Sequence, residues 1–183
     1  MRIFHHAGKI TPMSRSNKAE IRALHQSLRP RSSEGLTSAL NALVEKLGVK
    51  TLASYHPLGS EPDTREFNEA FSRQGNLLLP RIIGEEIEFA YGSLSRGPLG
   101  IMEPTGERFP IDAIELILVP ALAIDSLGNR LGKGLGYYDR VLKTSVALAV
   151  GVVFDGELVQ ELDAEEHDVR MQYAITPTSF TKF

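Results

Sequence analysis

LAIDSLGNRLGKGLGYYDR, residues 122–140, follows the apolar run Glu115-Leu116-Ile117-Leu118-Val119 and opens the helix-like Tyr137-Tyr138-Asp139-Arg140-Val141-Leu142-Lys143. Read in order, it is a buried strand, a glycine loop and a helix start. Gly128, Gly132, Gly134 and Gly136 fall within nine positions, interleaved with Arg130 and Lys133. Glycines let backbone amides approach an anion closely, and a helix start adds unsatisfied N–H groups and a favourable dipole. The loop is therefore a candidate oligophosphate cradle. Its spacing is neither G-x-x-x-x-G-K-[ST] nor G-x-G-x-x-G, so neither common nucleotide fingerprint applies. Structural turns of similar composition are common.

Outward from this loop, helical and strand patterns alternate. Ser16 or Asn17 caps a predicted helix that runs to about Arg29 and stops at Pro30, with Ile21, Leu24 and Leu28 on one face. A second helix is predicted from Ser33, with a stripe of Leu36, Leu40, Leu43, Val44 and Leu47 and a stop at Gly48. Val49–His56 reads as a strand ending in the turn Pro57-Leu58-Gly59-Ser60. Asp63 and Glu66 have capping-box spacing for a helix through Phe67, Ala70 and Phe71, ended by Gly75. Asn76–Arg81, Ile87–Tyr91, Ile114–Pro120, Val146–Phe154 and Tyr173–Thr176 read as strands, and residues 92–110 as loop with at most a short strand. Several strands are apolar on both faces, as parallel strands covered by helices on both sides are. The expected fold is a three-layer α/β/α domain with a central, mostly parallel, Rossmann-like sheet. Residues 1–15 read as a variable N-terminal extension and 16–183 as a single domain.

An apolar fraction of 42% and a charged fraction of 23% are ordinary for a soluble globular protein. The formal charge of −3 gives no general footprint for nucleic acid or anionic membrane, and Arg29-Pro30-Arg31 is the one local basic run. No partner of either class is expected. Cysteine is absent, which removes disulfides, thiolate catalysis and cysteine zinc sites and fits a reducing cytosol. The longest apolar runs are far too short to cross a membrane as a helix.

Among residues that could carry chemistry, Asp139 lies in the first turn of the helix opened by the loop. It either complements the helix dipole or supplies a hard oxygen ligand for Mg²⁺ beside bound phosphates. Tyr137 is read as a site residue and Tyr138, on the face of Val141 and Leu142, as core. Tyr55 and His56 end a strand and could line a pocket. Glu61 follows the next turn, beyond a strand's carboxyl end, where open α/β sheets bind ligands; a solvated loop acid is the plainer reading. Lys18 and Arg22 share a helix face and are by default solvated cations. His167-Asp168 is a local turn pair or a metal-proximal element.

Taken together these residues resemble the 5-formyltetrahydrofolate cyclo-ligase family, also called methenyltetrahydrofolate synthetase, over about Asn17 to Thr176. Asn129–Arg140 looks like the family's R-L-G-x-G-x-G-Y-Y-D-R block. Lys18-Ala19-Glu20-Ile21-Arg22 is similar to its N-terminal K-x-x-L-R, and Leu58–Thr64 to the segment whose glutamate contacts folate. Gly100–Pro104 and Glu166–Val169 match further landmarks in order. Leu135 departs from a frequent glycine, and Gln172 from a common aspartate. The resemblance implies ATP contacts from Lys18, Arg22, Arg130, Leu131, Gly132, Lys133, Gly134, Leu135, Gly136, Tyr137 and Tyr138. Folate contacts are implied for Tyr55, His56, Glu61, Lys133, Gly134, Gly136 and Tyr137, and Mg²⁺ ligation for Asp139 and Asp168. Arg130, Lys133 and Tyr137 are the implied catalytic residues. The implied enzyme is a cytoplasmic monomer that converts 5-formyltetrahydrofolate and ATP to 5,10-methenyltetrahydrofolate, ADP and phosphate. Two alternatives stand beside it: an ATP-independent enzyme on a related scaffold, such as a sugar-phosphate isomerase or CoA-transferase relative, and a non-catalytic nucleotide-binding or RNA-associated member of the superfamily.

Overall fold

The helices of the computed structural model are α1 (Arg15–Leu28), α2 (Leu36–Leu47), α3 (Arg65–Phe71) and α4 (Tyr137–Thr144). The first strands are β1 (Thr51–Ala53), β2 (Asn76–Ile83), β3 (Glu86–Ala90), β4 (Leu94–Arg96), β5 (Met102–Pro104) and β6 (Leu116–Pro120). Then follow β7 (Ala123–Asp125), β8 (Arg130–Leu131), β9 (Leu148–Val152), β10 (Leu158–Val159), β11 (Tyr173–Ile175) and β12 (Phe180–Lys182). The structure describes residues 15–30, 32–97, 100–163 and 168–183, and the side chains of helical residues from 19 onward.

A seven-stranded sheet runs in the order β12-β11-β9-β6-β1-β2-β3. Its five inner strands are parallel, and β3 and β12 close the edges antiparallel. The β6 register explains the continuous apolar runs. Leu116 and Leu118 pack with Leu36, Leu40, Leu43 and Phe67 of α2 and α3. Ile117 and Val119 point to the other face, in the cluster that holds Leu142 of α4. Neither face can be polar, so a two-residue alternation is invisible in the sequence. The expected three-layer α/β arrangement is what forms.

From β1 the chain passes through α3 to β2 on one side, then returns to the other side of β1 as β6 and proceeds outward to β9 and β11. The strand order thus reverses between β1 and β6. Open α/β sheets bind ligands beyond the carboxyl ends of strands at such a switch point.

The Gly48 stop forms as expected, while other local expectations change. α2 ends in a Schellman turn: Gly48 has φ 67°, its N–H donates to Glu45 O, and Val49 N–H donates to Val44 O. α3 has no capping box, because Asp63 accepts from its neighbour Arg65 while Glu66 accepts from Thr37 of α2. β1 is shorter than predicted. Strands β7, β8 and β10 form a separate three-stranded sheet that the loop-rich sequence did not suggest.

The predicted α1 stripe is corrected as well. The helix begins at Arg15, so Ser16 and Asn17 lie inside it. Ile21 packs with Leu122, Ala123 and Leu131, but Leu24 and Leu28 are 55% and 72% exposed. Among the described residues the helix packs its apolar face on the body through Ile21. Of the predicted extension, residues 1–14 lie outside the described residues.

Candidate active site

At the switch point lies an open cleft of about 210 Å³. Its floor comes from the carboxyl ends of β1 and β6, through Tyr55, His56 and Pro120. The Leu58–Glu61 turn forms one side and the glycine loop another. Pro80, Ile82, Ile87 and Ile101 make an apolar wall.

The glycine loop is anchored before it reaches the cleft. The Asp125 carboxylate accepts from Leu127 N, Asn129 N, Asn129 Nδ2 and Leu162 N at 2.8–3.1 Å. Burial would raise its pKa, but the Asn129 side chain and these three amides outweigh burial and hold it below the usual carboxylate range. Arg170 Nε adds a bond to Asn129 Oδ1 at 3.2 Å. The antiparallel pair of β7 and β8 then presents Arg130. Beyond it the chain turns through Gly134 at φ 94° and Gly136 at φ 69°, backbone that residues with a Cβ rarely adopt. Gly136 opens α4 with no side-chain cap, so the first amides of that helix are not spent on a capping group.

Two ion pairs organise the cleft. Lys133 Nζ lies 2.6 Å from Glu61 Oε1, joining the glycine loop to the strand-end turn. Glu61 Oε2 accepts from Leu58 N at 2.9 Å, which fixes the carboxylate in its buried position. Arg130 lies 2.8 Å from Asp139, and its buried Nε has no hydrogen-bond partner among the described residues. A buried guanidinium nitrogen left unpaired is costly unless a ligand atom completes it. Each pair is a cation held ready by a carboxylate that a ligand must compete with.

Tyr137 and Tyr138 both line the cleft, so Tyr138 borders it as well as packing on the core. One turn does not separate them cleanly, because both rings also pack on the apolar cluster below α4. Burial pushes the Tyr138 phenol well above the ordinary range, with the Glu61 charge adding and Arg130 opposing. Burial and Glu61 do the same to Tyr55, whose hydroxyl donates to Pro62 O at 2.8 Å. Tyr55 therefore offers the cleft ring surface, with its hydroxyl already used. His56 lines it beside Tyr55.

α1 reaches the loop from outside. Arg22 Nε donates to Gly132 O at 3.0 Å, and its guanidinium sits against Gly134. The Lys18 side chain lies outside the described residues. Gly132, Gly134, Gly136 and the exposed Leu135 border the cleft, while Leu131 is buried against α1. Asp168 is half-buried on the segment leading to β11 and is not among the cleft-lining residues; His167 lies outside the described residues. Gln172 places its amide oxygen 2.6 Å from Ala149 N, so it serves the β9–β11 edge. Among the described residues no group of three or more His, Asp or Glu side chains forms a metal cage.

Two residues escaped sequence reading. Glu103, within the Gly100–Pro104 landmark but given no role there, is buried in β5 and borders the cleft. Arg29 is also buried, bonded to Glu157 at 2.7 Å, to Ser60 O at 3.3 Å and to Ala121 O. It ties the end of α1 to the turn carrying Glu61, and its place in a basic run gave no hint of this. No helix among the described residues is long and apolar enough to cross a membrane.

Known proteins resemble this chain over most of its length. The family model described as 5-formyltetrahydrofolate cyclo-ligase matches residues 14–177. A 5-formyltetrahydrofolate cyclo-ligase of Mycolicibacterium smegmatis is 36% identical over 171 residues, covering 85% of this chain and 87% of the relative. The Escherichia coli K12 protein of the same name is 30% identical over 142 residues, covering 70% and 78%. Among solved structures, the Aquifex aeolicus 5,10-methenyltetrahydrofolate synthetase superposes with a TM-score of 0.78 at 29% identity, covering 90% of this chain and 92% of that one. Sequence, fold and family match therefore converge: the chain belongs to the 5-formyltetrahydrofolate cyclo-ligase family of ligases.

Proposed function

We propose that this chain closes 5-formyltetrahydrofolate to 5,10-methenyltetrahydrofolate at the expense of ATP, with Mg²⁺, releasing ADP and phosphate. The observation that carries the reading is the Lys133–Glu61 pair, which joins an oligophosphate-type loop to a buried carboxylate in one cleft. An N-formyl group is an amide: weakly electrophilic, with an oxygen that leaves poorly. Transfer of the γ-phosphoryl to that oxygen makes it a phosphate leaving group. N10 then attacks the formyl carbon, the carbon–oxygen bond breaks, phosphate departs with the electron pair, and N10 gives up its proton. Positioning and charge neutralisation suffice, and no protein nucleophile is required.

In this reading Arg130, Lys133 and the amides of Gly132–Gly136 hold the phosphates, with Arg22 closing the loop from α1. Glu61 accepts from the pterin's amide-like N–H and amino group, and Tyr137 and Tyr55 with His56 shape the ring pocket. Mg²⁺ typically takes one or two carboxylates plus phosphate oxygens and water, and Asp139 at the helix start fits that donor set. When bound it would neutralise developing phosphate charge. Asp168 is a more distant candidate ligand, since it stands outside the cleft lining. A monomer is the working unit of this reading, and the cysteine-free composition suits the cytosol. The test is the appearance of methenyltetrahydrofolate absorbance. It is expected when 5-formyltetrahydrofolate, ATP and Mg²⁺ are all present and is abolished by omitting nucleotide or adding EDTA. Equal turnover without nucleotide would favour the isomerase- or transferase-like alternative.

A further inference from the structure

We propose that Glu103 accepts a hydrogen bond from an N–H group of the bound folate, as a second ligand-reading carboxylate in the cleft that holds Glu61; the inference rests on the function proposed above. Three carboxylates border the cleft. Glu61 is paired with Lys133 and Asp139 with Arg130. Among the described residues Glu103 has no cation, although it is only 4% exposed. Its one hydrogen bond among those residues is a long one, from Ile82 N to Oε1 at 3.3 Å. A buried carboxylate left with spare acceptor capacity is costly, and such groups normally find donors. The surrounding wall of Pro80, Ile82, Ile87 and Ile101 offers none from its side chains. A ligand held against that wall would supply one.

The carboxylate is held in place by its neighbours. β4 and β5 form a hairpin, and Gly97, just past β4, lies directly on the Glu103 side chain. A Cβ at Gly97 would fall 2.3 Å from Glu103 Cδ and 2.4 Å from Oε2, so any side chain there must displace the carboxylate. The hairpin thus keeps a charged group at the edge of an apolar wall. Such a wall with one well-placed polar group orients a flat ligand. A reduced folate carries several N–H donors, more than Glu61 alone can accept from.

A purely structural role for Glu103, strapping β2 to β5 through Ile82, predicts different behaviour. Glu103→Gln still offers one oxygen to Ile82 N–H, so a strap survives. Its other terminus becomes an amino group that would face the ligand's own donor. The experiment titrates the full-length protein with 5-formyltetrahydrofolate and, separately, with ADP, for wild type, Glu103→Gln, Gly97→Ala and Glu61→Gln, with thermal unfolding alongside. Glu103→Gln is expected to raise the folate Kd by about tenfold or more, with ADP affinity and melting temperature unchanged. Gly97→Ala, which keeps the carboxylate but moves it, is expected to weaken folate in the same direction. Wild-type folate affinity in Glu103→Gln, while Glu61→Gln loses it, overturns this inference and leaves the proposed function standing. Parallel loss of folate, ADP and thermal stability makes Glu103 a strap and also overturns it. Failure of the wild-type protein to bind folate overturns the proposed function itself.

Discussion

Glu61→Gln is expected to weaken 5-formyltetrahydrofolate binding by at least about tenfold while leaving nucleotide affinity undiminished. The substitution keeps the side chain's shape and its bond from Leu58 N, but replaces an acceptor-only group with an amide that also donates. One donor would then oppose a pterin donor, and the negative charge that assists the contact is gone. Nucleotide binding is expected to hold or improve, because Lys133 loses the carboxylate that competes with phosphate for its ammonium. Parallel titrations with folate and ADP read both effects on one sample. Wild-type folate affinity would return Glu61 to the status of a loop acid; loss of ADP binding would mean the Lys133–Glu61 pair positions the loop rather than restraining it.

Arg29→Ala is expected to cost about 3–5 kcal/mol of stability, because removing one member of a buried pair leaves Glu157 charged and uncompensated. The guanidinium also loses its bonds to Ser60 O and Ala121 O, and its position 5.8 Å from the Phe154 ring centroid. Arg29 joins α1, the Glu61 turn and the segment after β6, so folate binding should fall along with stability. Denaturant unfolding measures the first, and titration of the folded fraction the second. Arg29→Met combined with Glu157→Leu should recover much of the stability, since a well-packed apolar pair can replace a buried ion pair. A loss below about 1 kcal/mol for Arg29→Ala would place the pair among weak surface bridges instead.

Much of the fold is written locally. The two-sided apolar run of β6, the stripe of α2 with its Gly48 stop, and the strand–glycine–helix sequence around Gly132 each specify their element from neighbouring residues. What was not legible depends on partners far along the chain. Leu24 and Leu28 carry helical spacing, yet nothing in α1 itself says that the body covers only Ile21. Asp63 and Glu66 have capping-box spacing, but Glu66 bonds to Thr37 of a different helix. β7, β8 and β10 pair across loops, and strands of two or three residues leave no periodicity to read.

The cleft residues divide the same way. Arg130, Lys133 and Asp139 stand out because glycines and cations are clustered in sequence. Glu61 was visible through its place after a strand and through the resemblance of Leu58–Thr64, while its contact with Lys133 spans the fold. Arg29 gave no signal and Glu103 showed only as part of the Gly100–Pro104 landmark, because an isolated charged residue beside a proline reads as surface until its burial is known.

The central claim, that the cleft uses the γ-phosphoryl of ATP to turn the formyl oxygen into a leaving group, is tested most directly by oxygen transfer. 5-Formyltetrahydrofolate labelled with ¹⁸O in the formyl group is converted with ATP and Mg²⁺, and the released phosphate is analysed by mass spectrometry. The label is expected in inorganic phosphate, because the carbon–oxygen bond breaks after that oxygen has joined phosphorus. Unlabelled phosphate, with the label recovered in water, would contradict the account.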